Sequence, residues 1–149
     1  MSDKQWTVYL SGEIHTDWRK ELTTAVEQAG LPISFCSPVL DHSASDNCGI
    51  DILGEETDNF WKDHKGAKMN GIRTKTYLSE ADIVVVRFGE KYKQWNAAFE
   101  AGFAAALGIP LILQHGQEHT HALKEVDAAA SAVAETVDQV IQLLKYITA

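Results

Sequence analysis

A chain of 149 residues with a formal net charge of -8 can bury one sizeable core, but it is too acidic to grip a nucleic-acid backbone. Hydrophobic residues at 45% and charged residues at 23% are the balance of a globular protein, and no apolar run approaches the ~20 residues that span a bilayer. No nucleic-acid or membrane partner is therefore expected, while a small anionic ligand held by a few local cations stays open. The opening MSDKQWTVYL lacks a signal pattern, which predicts a cytoplasmic protein with Cys36 and Cys48 as reduced thiols. Residues 1–149 read as one domain.

Residues 6–10 (WTVYL) are β-rich and run into Ser11-Gly12, a first strand ending in a turn. Thr16 or Asp17 is placed to cap a helix to about residue 28, with Leu22, Ala25, Val26 and Ala29 as its apolar stripe. Gly30 closes that helix and Pro32 bars its return. Residues 31–35 fit a short second strand. Residues 36–56 are polar and aperiodic, which predicts a long functional or disordered loop. A short helix over 59–64 is expected to stop at Gly66, with a second helical stretch over 69–78.

Residues 81–86 (ADIVVV) form the strongest strand, apolar on both faces. Asn96 then reads as the cap of a helix over 97–107, ended by Gly108 and Pro110, and residues 111–113 as another buried strand. Residues 128–133 are ambiguous between helix and weak strand. A last helix over 136–147 has the stripe Val137, Val140, Ile141, Leu144 and Ile147. Strands alternating with helices predict an α/β three-layer sandwich around a five-stranded parallel sheet, flavodoxin-like or Rossmann-like.

In such a sheet ligands bind outside the carboxyl ends of the strands. The first of those loops carries Ser11, Gly12 and His15, a turn suited to phosphate or sugar hydroxyls. GxGxxG and the P-loop pattern are absent, so no dinucleotide and no other cofactor is expected. Arg19 faces either a phosphate or, more simply, solvent. Asp46 and Asn47, in the polar loop after the second strand, are expected to wall the same cavity as Glu100. Trp61 and Trp95 are able to stack on a planar base or to pack structurally.

The His115, His119, His121 set lies in a loop without a rigid frame, and Cys36, His42 and Cys48 match no finger or ribbon spacing. No metal is expected, and the histidine loop reads as mobile and solvated. Glu100 is the anomaly: a carboxylate sharing a helical face with Phe103, Ala104 and Leu107. Read as near the positive helix end, it is either a poised nucleophile or base, or a helix-stabilising charge. Asp82 opens the strongest strand, the wrong end for a ligand, and by position reads as structural.

YLSGEIHTDWR, SEADIVVV and NAAFEAGFAAALGIPLI together resemble the nucleoside 2-deoxyribosyltransferase superfamily, and SPVLDHSASDNCGIDILGEE is similar to its YtoQ branch. The resemblance implies glycosyl chemistry at C1′ of a nucleoside or nucleotide. Glu100 matches the nucleophile, Tyr9 the tyrosine that orients it, and Asp82 an assisting aspartate. It also implies assembly into a homo-oligomer, for which the Ala/Gly-rich helix around Glu100 offers a packing face. The family window D-x-G-T-A-x-E is here QWNAAFE, so its Asp and Gly are missing. Trp95 and Asn96 then join the substrate-binding candidates, and Asp41, Asp46 or His15 becomes the substitute acid. A catalytically inactive nucleoside-binding module is the alternative reading.

Overall fold

The computed structural model describes residues 3–149. Five parallel strands lie in the order β2-β1-β3-β4-β5, with β1 at Trp6–Gly12, β2 at Ile33–Cys36, β3 at Ile83–Arg87, β4 at Leu111–Gln114 and β5 at Ala132–Ala134. This is the flavodoxin-like doubly wound order, whose switch point lies between β1 and β3. The sheet pairs Ser11 with Val86 and Val86 with Leu113, which brings the carboxyl ends of the three central strands to one level.

Alternation along the strands builds two cores. Tyr9, Val84, Val86, Leu111 and Leu113 face α3 (Asn59–Glu80) and α4 (Trp95–Ala106). Val8, Leu10, Ile83, Val85 and Ile112 face α1 (Trp18–Ala29) and α6 (Val137–Ile147). Val84, Val85 and Val86 are fully buried, each stabilising the fold by about 1.5–3 kcal/mol relative to an exposed side chain. Helix α6 starts with a capping box between Thr136 and Gln139, which satisfies its first amides. The ambiguous stretch near residue 130 divides into α5 (Lys124–Ala129) and β5.

Three local readings are corrected. Most of the polar segment after β2 is a helix, α2 (His42–Leu53), capped by the Asp41 carboxylate on the Ala44 amide at 2.8 Å. Its inward face is made of small and polar residues, Ser45, Cys48 and Gly49, so no apolar period marks it. Gly66 does not stop a helix: α3 runs unbroken for 22 residues. A Cβ on Gly49 would lie 2.6 Å from Lys65 Cβ, so glycine there lets α2 press onto the α3 backbone. Helix α4 begins at Trp95, one residue before the expected cap Asn96. The preceding Gln94 makes no side-chain cap, because its Oε1 accepts the Gly89 amide at 3.1 Å.

Candidate functional site

Tyr9 and Ser11 are two apart on β1 and so project from the same face, toward α4. Ala97, Ala101 and Ala104 lay a flat, buried stripe of α4 against that face. Small side chains let the helix come close, and Glu100 then reaches β1. The Ser11 hydroxyl donates to Glu100 Oε2, and the Tyr9 hydroxyl donates to Oε1 at 3.3 Å. Thr74, on α3, adds a third hydroxyl that bears on both Glu100 and Tyr9.

Burial pushes the Glu100 carboxyl above its ordinary pKa, against the opposing pull of the Ser11, Tyr9 and Thr74 hydroxyls and the Arg19 charge. Burial, then the Glu100 charge, pushes the Tyr9 hydroxyl far above its usual value. Tyr9 is therefore a donor to Glu100 rather than a source of charge. Glu100 is the sixth residue of α4, beyond the first turn where the helix end acts. Hydroxyl donors, not the helix end, favour its ionised form.

The ligand-end loop after β1 is held by a buried carboxylate that sequence reasoning did not single out. Glu13 is 3% exposed. It accepts the His15 amide, the Thr16 amide at 2.8 Å and the Thr16 hydroxyl, and faces Arg87 Nε at 3.5 Å. Burial would raise its pKa, but the Thr16 and His15 hydrogen bonds and the Arg87 charge outweigh it and hold the carboxyl below its ordinary value. Arg87 in turn donates to Gln114, which donates to the Glu135 carbonyl at 2.8 Å, tying together the loops after β1, β3, β4 and β5. A Glu three residues before Thr16 was the available signal.

Arg19 is not a solvated side chain. Its Nη1 donates to the Glu13 carbonyl at 2.6 Å and Nη2 to the Leu10 carbonyl at 3.3 Å, with the guanidinium 4.6 Å from the Trp18 ring. Burial lowers its pKa to about 10, and the Glu13, Tyr9 and Glu100 charges oppose the fall. It stays protonated at neutral pH as an internal cation beside the site. Gly12 has φ +109, and a Cβ there would strike the Arg87 carbonyl. Its glycine requirement thus comes from the neighbouring strand and not from a ligand.

The other expected residues divide sharply. His15 is exposed at the rim, its ring 4.7 Å from that of Tyr92. Trp95 (75% exposed) and Asn96 open α4 in solvent. Asp46 pairs with His42 at 3.1 Å, and Asn47 donates to Ser43 at 3.3 Å. Both are spent along α2, and no described contact brings them to Glu100. Asp82 sits where its position in the sequence put it, away from the role that the resemblance implies. Its Oδ1 accepts Lys4 Nζ at 2.7 Å and its Oδ2 the Thr7 amide at 2.8 Å, at the amino end of the sheet. Ser11 pairs with Val86, four residues on, so Asp82 lies about 13 Å down the strand from the Glu100 level.

Of the histidine loop expected to be solvated, His115 and His119 are packed and His121 is exposed. His115 is 4% exposed and donates to Asp127 at 2.8 Å, while His119 Nε2 donates to the Gly89 carbonyl at 3.1 Å. Among the described residues, no three His, Cys, Asp or Glu side chains converge as a metal site, and Cys36 and Cys48 are free thiols. Trp61 packs on Phe60 and His64 at the exposed start of α3. A cavity of about 280 Å³ between α2 and α3, lined by Val39, Cys48, Met69 and Arg73 among others, does not include Glu100.

Residues 9–148 match the family model described as Nucleoside 2-deoxyribosyltransferase YtoQ. The chain belongs to that family. The YtoQ protein of Bacillus subtilis (strain 168) is 42% identical over 143 residues, covering 96% of this chain and 97% of its own. Solved structures share the YtoQ-family fold at lower identity. A conserved protein from Enterococcus faecalis V583 aligns with TM-score 0.64 at 14% identity, over 97% of this chain and 99% of its own. The 2-deoxyribosyltransferase of Bacillus psychrosaccharolyticus aligns with TM-score 0.54 at 17% identity, over 91% and 90%. DNA processing protein A of Helicobacter pylori, described for its binding of single-stranded DNA, aligns with TM-score 0.57 at 16% identity, over 99% and 83%. At these identities the likeness is one of fold, and the fold alone does not separate nucleosides from nucleic acid. No described helix is long and apolar enough to cross a membrane.

Proposed function

We propose that this protein cleaves or transfers the N-glycosyl bond of a nucleoside or nucleotide, with Glu100 as the nucleophile. The observation that carries the reading is the half-buried Glu100 carboxylate, set under the Ser11 and Tyr9 hydroxyls at the carboxyl end of the central strands. Membership of a nucleoside 2-deoxyribosyltransferase family supports it. A carboxylate there attacks C1′ and displaces the base, turning one hard substitution into two easier ones through a glycosyl ester. Tyr9 and Ser11 orient the carboxylate, while Glu13 and Arg87 hold the loop that borders the sugar. The reaction calls for no metal or cofactor. Water as acceptor gives hydrolysis, and a second base gives transfer.

The test is base release followed by chromatography, with a panel of nucleosides and their 5′-monophosphates. Wild-type protein should release base, and Glu100→Gln, folded by circular dichroism, should not. Intact-mass measurement should show a glycosyl adduct on the wild type alone. Release by Glu100→Gln at the wild-type rate would end the assignment. The second reading, a binding module without catalysis, is favoured by the QWN residues at the start of α4, which replace the family's Asp and Gly. Gln94 is used to hold Gly89, and Trp95 and Asn96 face solvent. Binding of a nucleoside in a thermal-shift assay without any product would decide for it.

A further inference from the structure

A base leaving C1′ needs a proton, and on the glycosyl reading above we propose that His15 supplies it. Sequence alone left three candidates, Asp41, Asp46 and His15. The Asp41 carboxylate caps α2, and Asp46 is paired with His42 on the same helix. Glu13 is nearer the site, but four interactions and a lowered pKa keep it charged. Tyr9 spends its hydroxyl on Glu100. Both ring nitrogens of His115 are taken, by Gly116 and Asp127. His119 commits its Nε2 to the Gly89 carbonyl.

His15 is placed differently. It lies in the loop after β1, four residues beyond Ser11, and its main-chain amide alone is committed, to Glu13. Among the described residues its exposed ring meets Tyr92, at 4.7 Å, and Lys91 Nζ stands 5.3 Å from the Tyr92 ring centroid. Tyr92 belongs to the loop between β3 and α4. The pair thus bridges the two strands that flank the switch point, the place where a doubly wound sheet takes its ligand. Imidazole is the side chain suited to giving and retaking a proton near neutrality.

The step balances. Glu100 bonds to C1′ as the C1′–N bond breaks, and the electron pair passes to the base. The imidazolium N–H of His15 delivers its proton to a ring nitrogen of that base, which departs neutral. Neutral His15 then takes a proton from the water or incoming base that attacks the glycosyl ester, and the Glu100 carboxylate is released. Tyr92 offers the departing ring a stacking face.

The test varies the leaving group. Inosine, 2′-deoxyinosine and their 5′-monophosphates need a proton to lose the base, whereas 4-nitrophenyl ribofuranoside and 2-deoxyribofuranoside release a stable anion. His15→Gln keeps the backbone amide that Glu13 accepts, so its fold should match the wild type by circular dichroism, with His15→Asn as a second variant. The expected result is a loss on the order of 10²- to 10⁴-fold on the nucleosides, wild-type rates on the nitrophenyl glycosides, and recovery of nucleoside cleavage by His15→Ala on adding imidazole. Equal losses on both substrate types, or no loss on nucleosides, would overturn the proposal. So would the same split in His119→Gln, which is expected to behave as wild type. Wild-type protein inert toward all six compounds would overturn the glycosyl reading itself, and the role of His15 with it.

Discussion

Moving the Glu100 carboxyl out of water raises its pKa, and that has a consequence for stability as well as for rate. The folded chain keeps a proton that the unfolded chain has already released. Between the ordinary carboxylate value and the raised one, stability therefore falls as pH rises. Glu100→Gln removes this penalty, so its melting temperature at pH 7 should equal or exceed that of the wild type. The advantage should shrink toward pH 4. A Glu100→Gln variant markedly less stable than wild type at pH 7 would show that the carboxylate is structural. Its catalytic loss should be about 4 kcal/mol or more of transition-state stabilisation, read from kcat/KM. Asp82→Asn should leave kcat/KM unchanged, since its carboxylate serves Lys4 and Thr7 at the far end of the sheet. A thousandfold loss in that variant would restore the role its motif suggests.

Among the elements, α2 and α3 depend on the close approach at Gly49. Gly49→Ala places a methyl 2.6 Å from Lys65 Cβ and 2.7 Å from the Gly66 amide nitrogen. Backbone cannot yield as a flexible side chain does, so urea denaturation should show a loss of about 1–3 kcal/mol. Gly12→Ala should cost more, because positive φ and the Arg87 carbonyl oppose it together. An unchanged midpoint in either variant would refute the packing argument. Of the Ala/Gly-rich helix expected to offer a packing face, Ala97, Ala101 and Ala104 pack on the molecule's own sheet, while Gly102 and Ala106 stay exposed.

For the whole molecule, the outward side of α4 is where the expected self-association is open to test. Trp95 and Phe99 on that helix and Leu107 just after it are half or more exposed, and Tyr92 stands just before it. An exposed aromatic cluster of this kind marks a contact surface more often than a free one. Phe99→Asp should shift the protein toward monomer in analytical ultracentrifugation, with the wild type sedimenting as an oligomer. A monomeric wild type would remove the expectation of assembly.

Local chemistry in the chain was enough for the parallel sheet. Its apolar runs at Val84–Val86 and Leu111–Leu113 have the unbroken hydrophobicity of strands covered on both faces. The Glu100 anomaly was equally legible, because one carboxylate interrupts an alanine-rich helix. Helix α2 was hidden because its buried face is small and polar, and the unbroken α3 because Gly66 serves a helix contact that propensity cannot express. The partners of Glu100, itself on α4, come from β1 and α3, with Arg19 of α1 acting through its charge, and no sequence spacing encodes that convergence. Asp82 is the opposite case. Its place at the opening of the strongest strand already put it away from the ligand end, and the parallel register of Ser11 with Val86 puts it there in the structure; only the motif resemblance suggested a role in the chemistry.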